Sequence, residues 1–406
     1  LVIAIISSSF ILYSYYNNKI IIQSLKQEQL FKDVYSGINY GLVFHEQIPI
    51  NTTKEVDLFA DEQHKVTLGK KKWGAFYVLT ANAKWKNKTA SKTALIGVNL
   101  NESEKIALYL SDQNKPLSLT GRTQIVGDCY LPESGVKRAY IEGKSFVGNK
   151  LIDGIKHNSK KTLPVINENL ISENLNSFKI TGEANDSLQD FELFLDKDSI
   201  VNSFKNKTLV LYSPLSINLT NKVIEGNIII KSDQQITINS SVLISNVILY
   251  AKGIILDQNV VGNMQLFAKD SILVGKGSTL NYPSVLALIN DQSPTVSRKI
   301  VIEEDVVIKG SVFMKTKIVD RKQQSIISIA ENSKITGQVY ASELLELKGE
   351  VEGVVFCEKI LLKTPSSVYE NHLMDAVINR KELSEHFIGI SLIEEIKQQN
   401  IIKWLN

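Results

Sequence analysis

The fold is decided by three stretches that repeat one pattern: KGSVFMKT (309–316), TGQVYASE (336–343) and EGVVFCEK (352–359). Each has a glycine, one or two spacer residues and then a run in which apolar residues alternate with others, which is typical of a half-buried strand. Related units recur upstream, and their anchor residues lie 16 to 27 positions apart. The anchors are Gly226, Asn246, Gly262, Ser284, Gly310, Gly337 and Gly353.

A second type of strand separates these units, as in QITINSSV (235–242) and KIVIEEDVV (299–307). Short units at variable spacing favour a parallel β-solenoid, because its coils stay in register while the loops between them vary in length. A β-sandwich or barrel with evenly spaced turns is the alternative. The expected inward aliphatic residues are Ile229, Val247, Leu266, Val312, Val339 and Val355.

Flanking segments extend this organisation in both directions. Residues 106–155 are predicted to form the first coils, because Gly127 and Gly143 carry the same unit. Residues 156–204 have helical spacing with many Asn and Ser, which indicates a partly helical insertion before the main solenoid at 205–367. From 368 to 406 the apolar spacing is again helical, as at Tyr369, Leu373, Ala376 and Val377, and we expect a helical cap over the exposed end strand.

The chain opens with an uncharged run, LVIAIISSSFILYSYY (1–16). As a helix it is about 24 Å long, slightly less than a ~30 Å hydrocarbon core. We expect a membrane anchor here, with a cleavable signal peptide and a buried soluble helix as alternatives. Since position 1 is not Met, either the chain is processed or apolar residues precede Leu1. The small residues Ala4, Ser7, Ser8 and Ser9 are expected to pack against partner helices, and Tyr13, Tyr15 and Tyr16 to form a belt at the membrane interface.

Residues 17–43 continue the same helix as an amphipathic segment, and residues 44–105 read as strands and turns. The order of an apolar helix, SGINYGL (36–42) and a meander containing WGAFYVLTA (73–81) resembles the N-terminal part of type IV pilin-like proteins, closest to minor pilins and pseudopilins. The resemblance implies a small antiparallel β region and assembly through the helix. Where that family carries a Glu at the fifth position, this chain has Ile5.

The later units also resemble the bactofilin kind of β-solenoid, as in GQVYAS (337–342) and GNIIIKS (226–232). Here the coils are longer and less regular. The resemblance implies architecture and not filament formation.

Composition narrows the function classes. Hydrophobic residues make up 43% and charged residues 22% of the 406 positions, which is the range of a folded protein. Lys and Arg number 46 against 43 Asp and Glu, a balance that argues against nucleic acid as a partner. Cys129 and Cys357 are far apart in sequence, and whether they pair is left open.

No reaction centre is indicated by the motifs. The carboxylate candidates are Glu303, Glu304, Asp305, Asp257, Asp270 and the Asp320–Arg321 pair, and they read as solvated corners between strands. The five histidines, His45, His64, His157, His372 and His386, share no metal-binding spacing. The basic run Lys70–Lys72 reads as a solvated hairpin turn, with lipid headgroups or a partner as the alternative. We therefore expect no catalytic residue, metal or cofactor.

The sequence thus predicts a mainly β, membrane-anchored structural protein, and not an enzyme. We expect a minor or tip subunit of a pilin-like secretion, adhesion or uptake apparatus in the bacterial cell envelope, with its β regions outside the cytoplasm. Its partners would be the lipid bilayer and other pilin-like subunits. A membrane-tethered glycan-binding or polysaccharide-degrading solenoid is the first alternative, and a polymerising scaffold is the second.

Overall fold

The computed structural model describes residues 1–61, 64–100, 106–180, 186–292, 297–317, 324–393 and 398–405. The chain forms two compact units. Unit 1 comprises Leu1–Gly97 and Gln398–Asn406, and unit 2 comprises Val98–Lys397. Unit 2 is therefore inserted between two segments of unit 1.

The helices are α1 (Val2–Val43) and α2 (Glu168–Ser177), with single 3₁₀ turns at His45–Gln47 and Phe191–Phe194. The first strands are β1 (Thr53–Asp57), β2 (Lys65–Trp73), β3 (Phe76–Trp85), β4 (Lys88–Asn99), β5 (Ile106–Leu110), β6 (Leu117–Thr120), β7 (Gln124–Val126), β8 (Asp128–Leu131), β9 (Val136–Arg138), β10 (Tyr140–Ile141), β11 (Lys144–Ser145) and β12 (Lys156–Asn158). Next come β13 (Ser187–Asp190), β14 (Ser199–Asn202), β15 (Leu209–Ser213), β16 (Ile217–Leu219), β17 (Val223–Ser232), β18 (Gln235–Ile238), β19 (Leu243–Leu256), β20 (Val261–Val274), β21 (Thr279–Asn290), β22 (Lys299–Ile302), β23 (Val307–Thr316), β24 (Ile326–Ile329), β25 (Lys334–Leu347) and β26 (Glu350–Lys363). The last strands are β27 (Val368–Glu370), β28 (His372–Met374), β29 (Val377–Asn379), β30 (Ile388–Gly389) and β31 (Gln399–Leu405).

Unit 1 is a long helix on an antiparallel sheet. Strands β1 to β4 form a meander, and β31 returns from the end of the chain to pair with β4. The C-terminal half of α1 packs on this sheet through its apolar face, where Leu30, Val34 and Ile38 are buried.

The basic run is not a solvated turn, contrary to the prediction. Lys70–Lys72 lie inside β2, and the hairpin turns at the next residues, Gly74 and Ala75. Lys70 is buried, its Nζ donates to the carbonyl of His45, and it lies 5.5 Å from the centre of the Tyr77 ring. Successive side chains of a strand point to opposite faces, and Lys70 points toward the protein. Three adjacent lysines hide this alternation in the sequence.

A parallel solenoid forms the body of unit 2, which confirms the predicted mainly β, solenoid-like fold. Each long strand pairs in parallel with the equivalent strand one coil later, from β17 through β26. One inward column of fully buried side chains stacks along the coils. Its members are Ile230, Leu249, Leu266, Leu286, Val312, Val339, Val355, Leu108 and Cys129.

The first coils of the chain stack on the last ones. Strand β5 pairs in parallel with β26, β8 pairs with β5, and β12 pairs with β8. The chain therefore enters the solenoid beside its final coil, builds outward to β12, and resumes at the opposite end with β13. The predicted coil at Gly143 is wrong, since this glycine forms the turn of the two-residue hairpin β10–β11.

Residues 159–180, which include α2, carry the chain between these two ends and are called the crossing segment. They lie over an outward column of mostly aromatic residues. Tyr109 Oη accepts from Lys160 N at 3.0 Å, Tyr340 Oη donates to the carbonyl of Pro164 at 3.3 Å, and Tyr250 Oη donates to Asn174 Oδ1 at 2.9 Å. The predicted helical insertion thus follows the outer surface of the coils.

The predicted C-terminal helical cap is wrong. In the described residues after 367 the regular elements are strands, and β29 pairs in parallel with both β26 and β7. Burial alternates along them, with Leu373 and Ile378 facing the core. These residues form strands, with a period of two, and not a helix. The reason is that they complete the coil that joins the end of the solenoid to the coils formed by residues 106–158.

The solenoid core is covered at its ends by large apolar side chains instead. At the β13 end, Phe191 and Phe194 of a 3₁₀ turn are buried in the core, and near β12 the core is covered by Phe146 and Ile152. Both covers come from loops between strands.

The transmembrane part of the prediction is corrected. Within the residues that the structure describes, no helix combines enough length with enough apolar character to cross a membrane. The uncharged run of α1 stops at Lys19, directly after Asn17 and Asn18.

Strand β19 offers a matched pair of substitutions that tests which residues face inward. Leu249→Ala should lower the free energy of unfolding by roughly 2–5 kcal/mol, because a cavity opens in a stacked core. Leu243→Ala, at a side chain that is 65% exposed, should change it by less than about 0.5 kcal/mol. Urea unfolding of the full chain measures both, and equal effects would contradict the assigned inward face.

Acid should loosen the joint between the first coils and the C-terminal strands. Asp375 accepts from Arg122 N at 2.8 Å and from Lys144 Nζ at 2.6 Å. Burial raises the pKa of Asp375, but these hydrogen bonds and charges outweigh it and hold the pKa below its ordinary value.

A depressed carboxyl pKa contributes stability above its unfolded value, and this stability is lost as the pH falls through the folded value. The stability difference between wild type and Asp375→Asn should therefore be present at about pH 7 and shrink toward about pH 3. Lys144→Gln should show the same trend in urea midpoints. A difference that is constant with pH would show that Asp375 does not act through its charge.

Candidate assembly surface

The N-terminal half of α1 is an apolar arm with no cover from its own unit. Every side chain from Leu1 to Ile22 is exposed, whereas burial on the sheet begins at Leu30. The 21 helical residues from Val2 to Ile22 span about 32 Å. Isoleucine, leucine and aromatic side chains dominate the arm up to Tyr16, so a large contiguous apolar surface is exposed, which is the mark of an interaction site.

Small residues form a shallow groove on one face of this arm. The groove is lined by Leu1, Ala4, Ile5, Ser8, Ser9, Leu12 and Tyr13. Ala4 and Ser8 lie about one turn apart in its lining, together with larger side chains such as Leu12. This arrangement allows the backbone of a second helix to approach closely.

The two serine hydroxyl groups in the groove are already bonded within the helix. Ser8 Oγ donates to the carbonyl of Ala4 at 2.7 Å, and Ser9 Oγ donates to the carbonyl of Ile5 at 2.9 Å. These serines therefore place no hydrogen-bonding demand on a partner, which suits dry packing. Of the four predicted packing residues, Ala4, Ser8 and Ser9 share this groove, and Ser7 lies outside it.

The three tyrosines of the predicted interface belt are all exposed. Tyr15 and Tyr16 contact each other edge to face, with ring centres 5.7 Å apart. Tyr13 lines the groove. Their contact with a membrane interface stays a prediction.

The base of the arm is fixed by close packing on the sheet. A β-carbon added at Gly37 would lie 2.7 Å from Val66 Cγ1, and one at Gly41 would lie 2.8 Å from Leu79 Cδ2. Tyr35 packs edge to face against Trp404 of β31, and Lys92 Nζ lies 5.2 Å from the centre of each ring. The arm is thus held by two glycines and by the returning end of the chain.

Three of the candidate carboxylates lie together around a lysine. Glu303, Glu304 and Asp305 sit at a coil corner around Lys276: its N–H donates to Glu303 Oε2, and its Nζ contacts Glu304 at 2.7 Å and Asp305 at 3.5 Å. The hydrogen bond and charge of Glu304, with those of Asp305, raise the pKa of Lys276. Asp257 accepts from the amide of Asn239, and Asp320–Arg321 lie outside the described residues.

The histidines stay separate. His64 contacts Asp61 at 2.7 Å, and His157 stacks on Tyr130 at 4.8 Å between ring centres. Burial, followed by the charge of Lys70, lowers the pKa of His45. In the part of the chain that the structure describes, no group of three His, Cys, Asp or Glu residues is arranged to hold a metal ion.

Both cysteines are free thiols in the solenoid core. Burial raises the pKa of Cys129 to about 12 and raises that of Cys357 as well. Such thiols pack as small apolar side chains and are poor nucleophiles at neutral pH.

No protein-family model matches the chain, and no curated protein matches it in sequence. Among solved structures, the competence-associated pilin ComZ from Thermus thermophilus is similar over 88% of this chain and 86% of its own, at 8% sequence identity and a TM-score of 0.23. A TM-score of 0.23 is too low to establish a shared fold. Neither the pilin nor the bactofilin resemblance is therefore established at the level of a family.

The glycine contact between helix and sheet is open to a direct test. Leucine at a helix interior is favoured over glycine by about 1 kcal/mol, but at Gly37 it meets Val66 and should destabilise unit 1 by roughly 1–3 kcal/mol. Amide hydrogen exchange in β2 and β3 should become faster in Gly37→Leu. Asn39→Leu, on the exposed face of the same turn, is the control and should leave exchange unchanged. Equal exchange in both variants would show that the close approach does not hold the helix.

Proposed function

We propose that this protein is a structural subunit of a pilin-like assembly, with the N-terminal arm of α1 packed against the helices of other subunits. The observation that carries the proposal is one continuous helix whose C-terminal half is docked on its own sheet and whose apolar N-terminal half has no cover from it. An exposed apolar surface of this size favours association, because association removes the surface from contact with water. The groove at Ala4 and Ser8 is the contact surface.

Helical partners are favoured over other occupants by the shape and chemistry of the groove. Its lining side chains are uncharged, and its two serine hydroxyls are bonded within the helix. Ile5, at the position where pilin-like proteins carry a glutamate, lines the groove and adds apolar contact. Packing here would rest on shape and apolar burial and not on an ion pair.

A minor or tip position fits the size of unit 2 better than a repeating shaft position does. A helical filament repeats the same contacts at every subunit. Unit 2 spans Val98–Lys397, most of the chain, and every shaft subunit would have to make room for it. In this proposal the protein works in the bacterial cell envelope with both β units outside the cytoplasm, and Tyr13, Tyr15 and Tyr16 contact the lipid interface.

The proposal assigns no catalysis to the chain. The grouped carboxylates at Glu303–Asp305 surround a lysine at an exposed corner, an arrangement that ties neighbouring coils together. That the protein is not an enzyme stays a prediction.

Photo-crosslinking in cells that make the full-length protein tests the assembly role. A photoreactive residue at Leu12, in the groove, should give a crosslink to the N-terminal apolar helix of another pilin-like subunit, identified by peptide mass spectrometry. Ser8→Leu fills the groove and should reduce the yield at least about fivefold, since loss of close packing costs on the order of 1 kcal/mol. Ser7→Leu adds the same side chain outside the groove and should leave the yield unchanged.

Two results would contradict the proposal. One is a crosslink from Leu12 to lipid alone or to no protein. The other is an equal loss in Ser7→Leu and Ser8→Leu, which would show that the groove has no special part in the contact.

A further inference from the structure

A small polar cavity opens on the outer surface of the solenoid, away from the arm and unrelated to the assembly role. Its volume is about 240 Å³, below the roughly 300–1,000 Å³ of pockets for drug-sized ligands. Four successive coils contribute to it, through the ends of β17 and β21 and the middle of β19 and β20. The lining residues are Lys231, Ser232, Asp233, Tyr250, Lys252, Lys269, Asp270, Asn290 and Gln292, with Phe178 from the crossing segment.

Positive charge exceeds negative charge in this cavity. Three lysines line it, Lys231 being buried and Lys252 and Lys269 exposed at the rim, against the two carboxylates Asp233 and Asp270. The buried Arg298 adds a further cation, with its Nε 3.8 Å from Asp270 Oδ1.

The carboxylates of the lining already have partners of their own. Asp270 lies between Arg298 and Lys252, whose Nζ is 4.0 Å away, and Asp233 accepts from Tyr212 Oη at 2.6 Å. Lys269 Nζ lies over the ring of Phe178, 4.9 Å from its centre. A ligand with one negative charge would reduce the excess and meet Lys269 at the rim.

The rest of the lining suits a ligand with several hydroxyl groups. The side chain of Gln292 can both donate and accept hydrogen bonds, and the two aspartates can accept them. Ser232 Oγ already donates to the carbonyl of Leu215 and can only accept, and Asn290 Nδ2 already donates once, to the carbonyl of Lys269. Phe178, packed edge to face on Tyr250 with ring centres 5.2 Å apart, is half-buried and gives the wall an apolar patch. A sugar ring has this combination of hydroxyls around its edge and C–H groups on its face.

From this geometry we propose that the cavity binds one carboxylated sugar unit of the uronic acid type. The carboxylate is held by Lys269 and Lys252 at the rim, the hydroxyls contact the amides and aspartates, and the apolar face of the ring lies on Phe178. The cavity admits one ring, so a polymer would enter by its terminal unit.

The test is binding of galacturonate to the full-length protein, followed by ligand-observed NMR and calorimetry. Glucose, which has the ring without the charge, should bind at least about tenfold more weakly, the usual effect of losing a charge-assisted hydrogen bond. Inorganic phosphate, which has the charge without the ring, should not displace galacturonate at equal concentration. Short oligogalacturonates distinguish a polymer end from a free sugar acid, since a polymer ligand should bind at least as tightly as the monomer.

Lys269→Gln should weaken galacturonate binding about tenfold and leave the already weak binding of glucose unchanged. Lys309→Gln removes the same charge from another exposed lysine of the solenoid, outside the cavity, and should have no effect. Both positions are exposed, so neither variant should disturb folding, and matching melting curves verify this.

The proposal is overturned by any of three results: no saturable binding of galacturonate or its oligomers, displacement by phosphate as strong as by galacturonate itself, or equal losses in Lys269→Gln and Lys309→Gln. Each of these leaves the assembly role untouched, because the arm and the cavity share no residue.

Discussion

The structure depends on one contact: the parallel pairing of β26 with β5, which joins the end of the solenoid to its beginning in sequence. Val355 stacks on Leu108 in the same buried column that runs through all the preceding coils. This pairing bridges about 250 residues of chain. The first coils therefore stack on the last long strand, and this contact has a high sequence separation.

The coil units were predictable because stacking imposes a local pattern. Gly310, Gly337 and Gly353 are aligned in adjacent strands, as their sequence anchors indicated, and all three have positive φ, which favours glycine. Alignment failed where a bulge shifts the register: Gly262 pairs with Ile244 and not with Asn246. Ile229 was assigned to the core for a related reason. In a run of three isoleucines the residue type does not show which side chains face the core. In the structure Ile228 and Ile230 face inward.

Longer-range features left no readable pattern. The C-terminal strands carry helical spacing by coincidence, and only their pairing with β26 and β7 reveals their period of two. The continuous helix and its small residues were visible in the sequence, but its groove excludes Ser7, because side-chain direction around a helix selects among neighbouring serines. The cavity was not predicted at all. Asp270 appeared only as an isolated carboxylate, since its companions lie up to about 90 residues away and meet through coil stacking.

In an ordinary solenoid the two termini lie at opposite ends of the stack of coils. Such a domain is difficult to insert into another fold, because insertion requires its two ends to be close together. Here the route of the crossing segment places the entry strand β5 directly beside the exit coil of β26. In unit 1 the two attachment points are also neighbours, because β31 pairs with β4. Unit 2 therefore has the connectivity of a cassette. A single insertion or deletion in the gene could add or remove unit 2 without interrupting the sheet of unit 1. Evolution could therefore replace unit 2 while conserving unit 1.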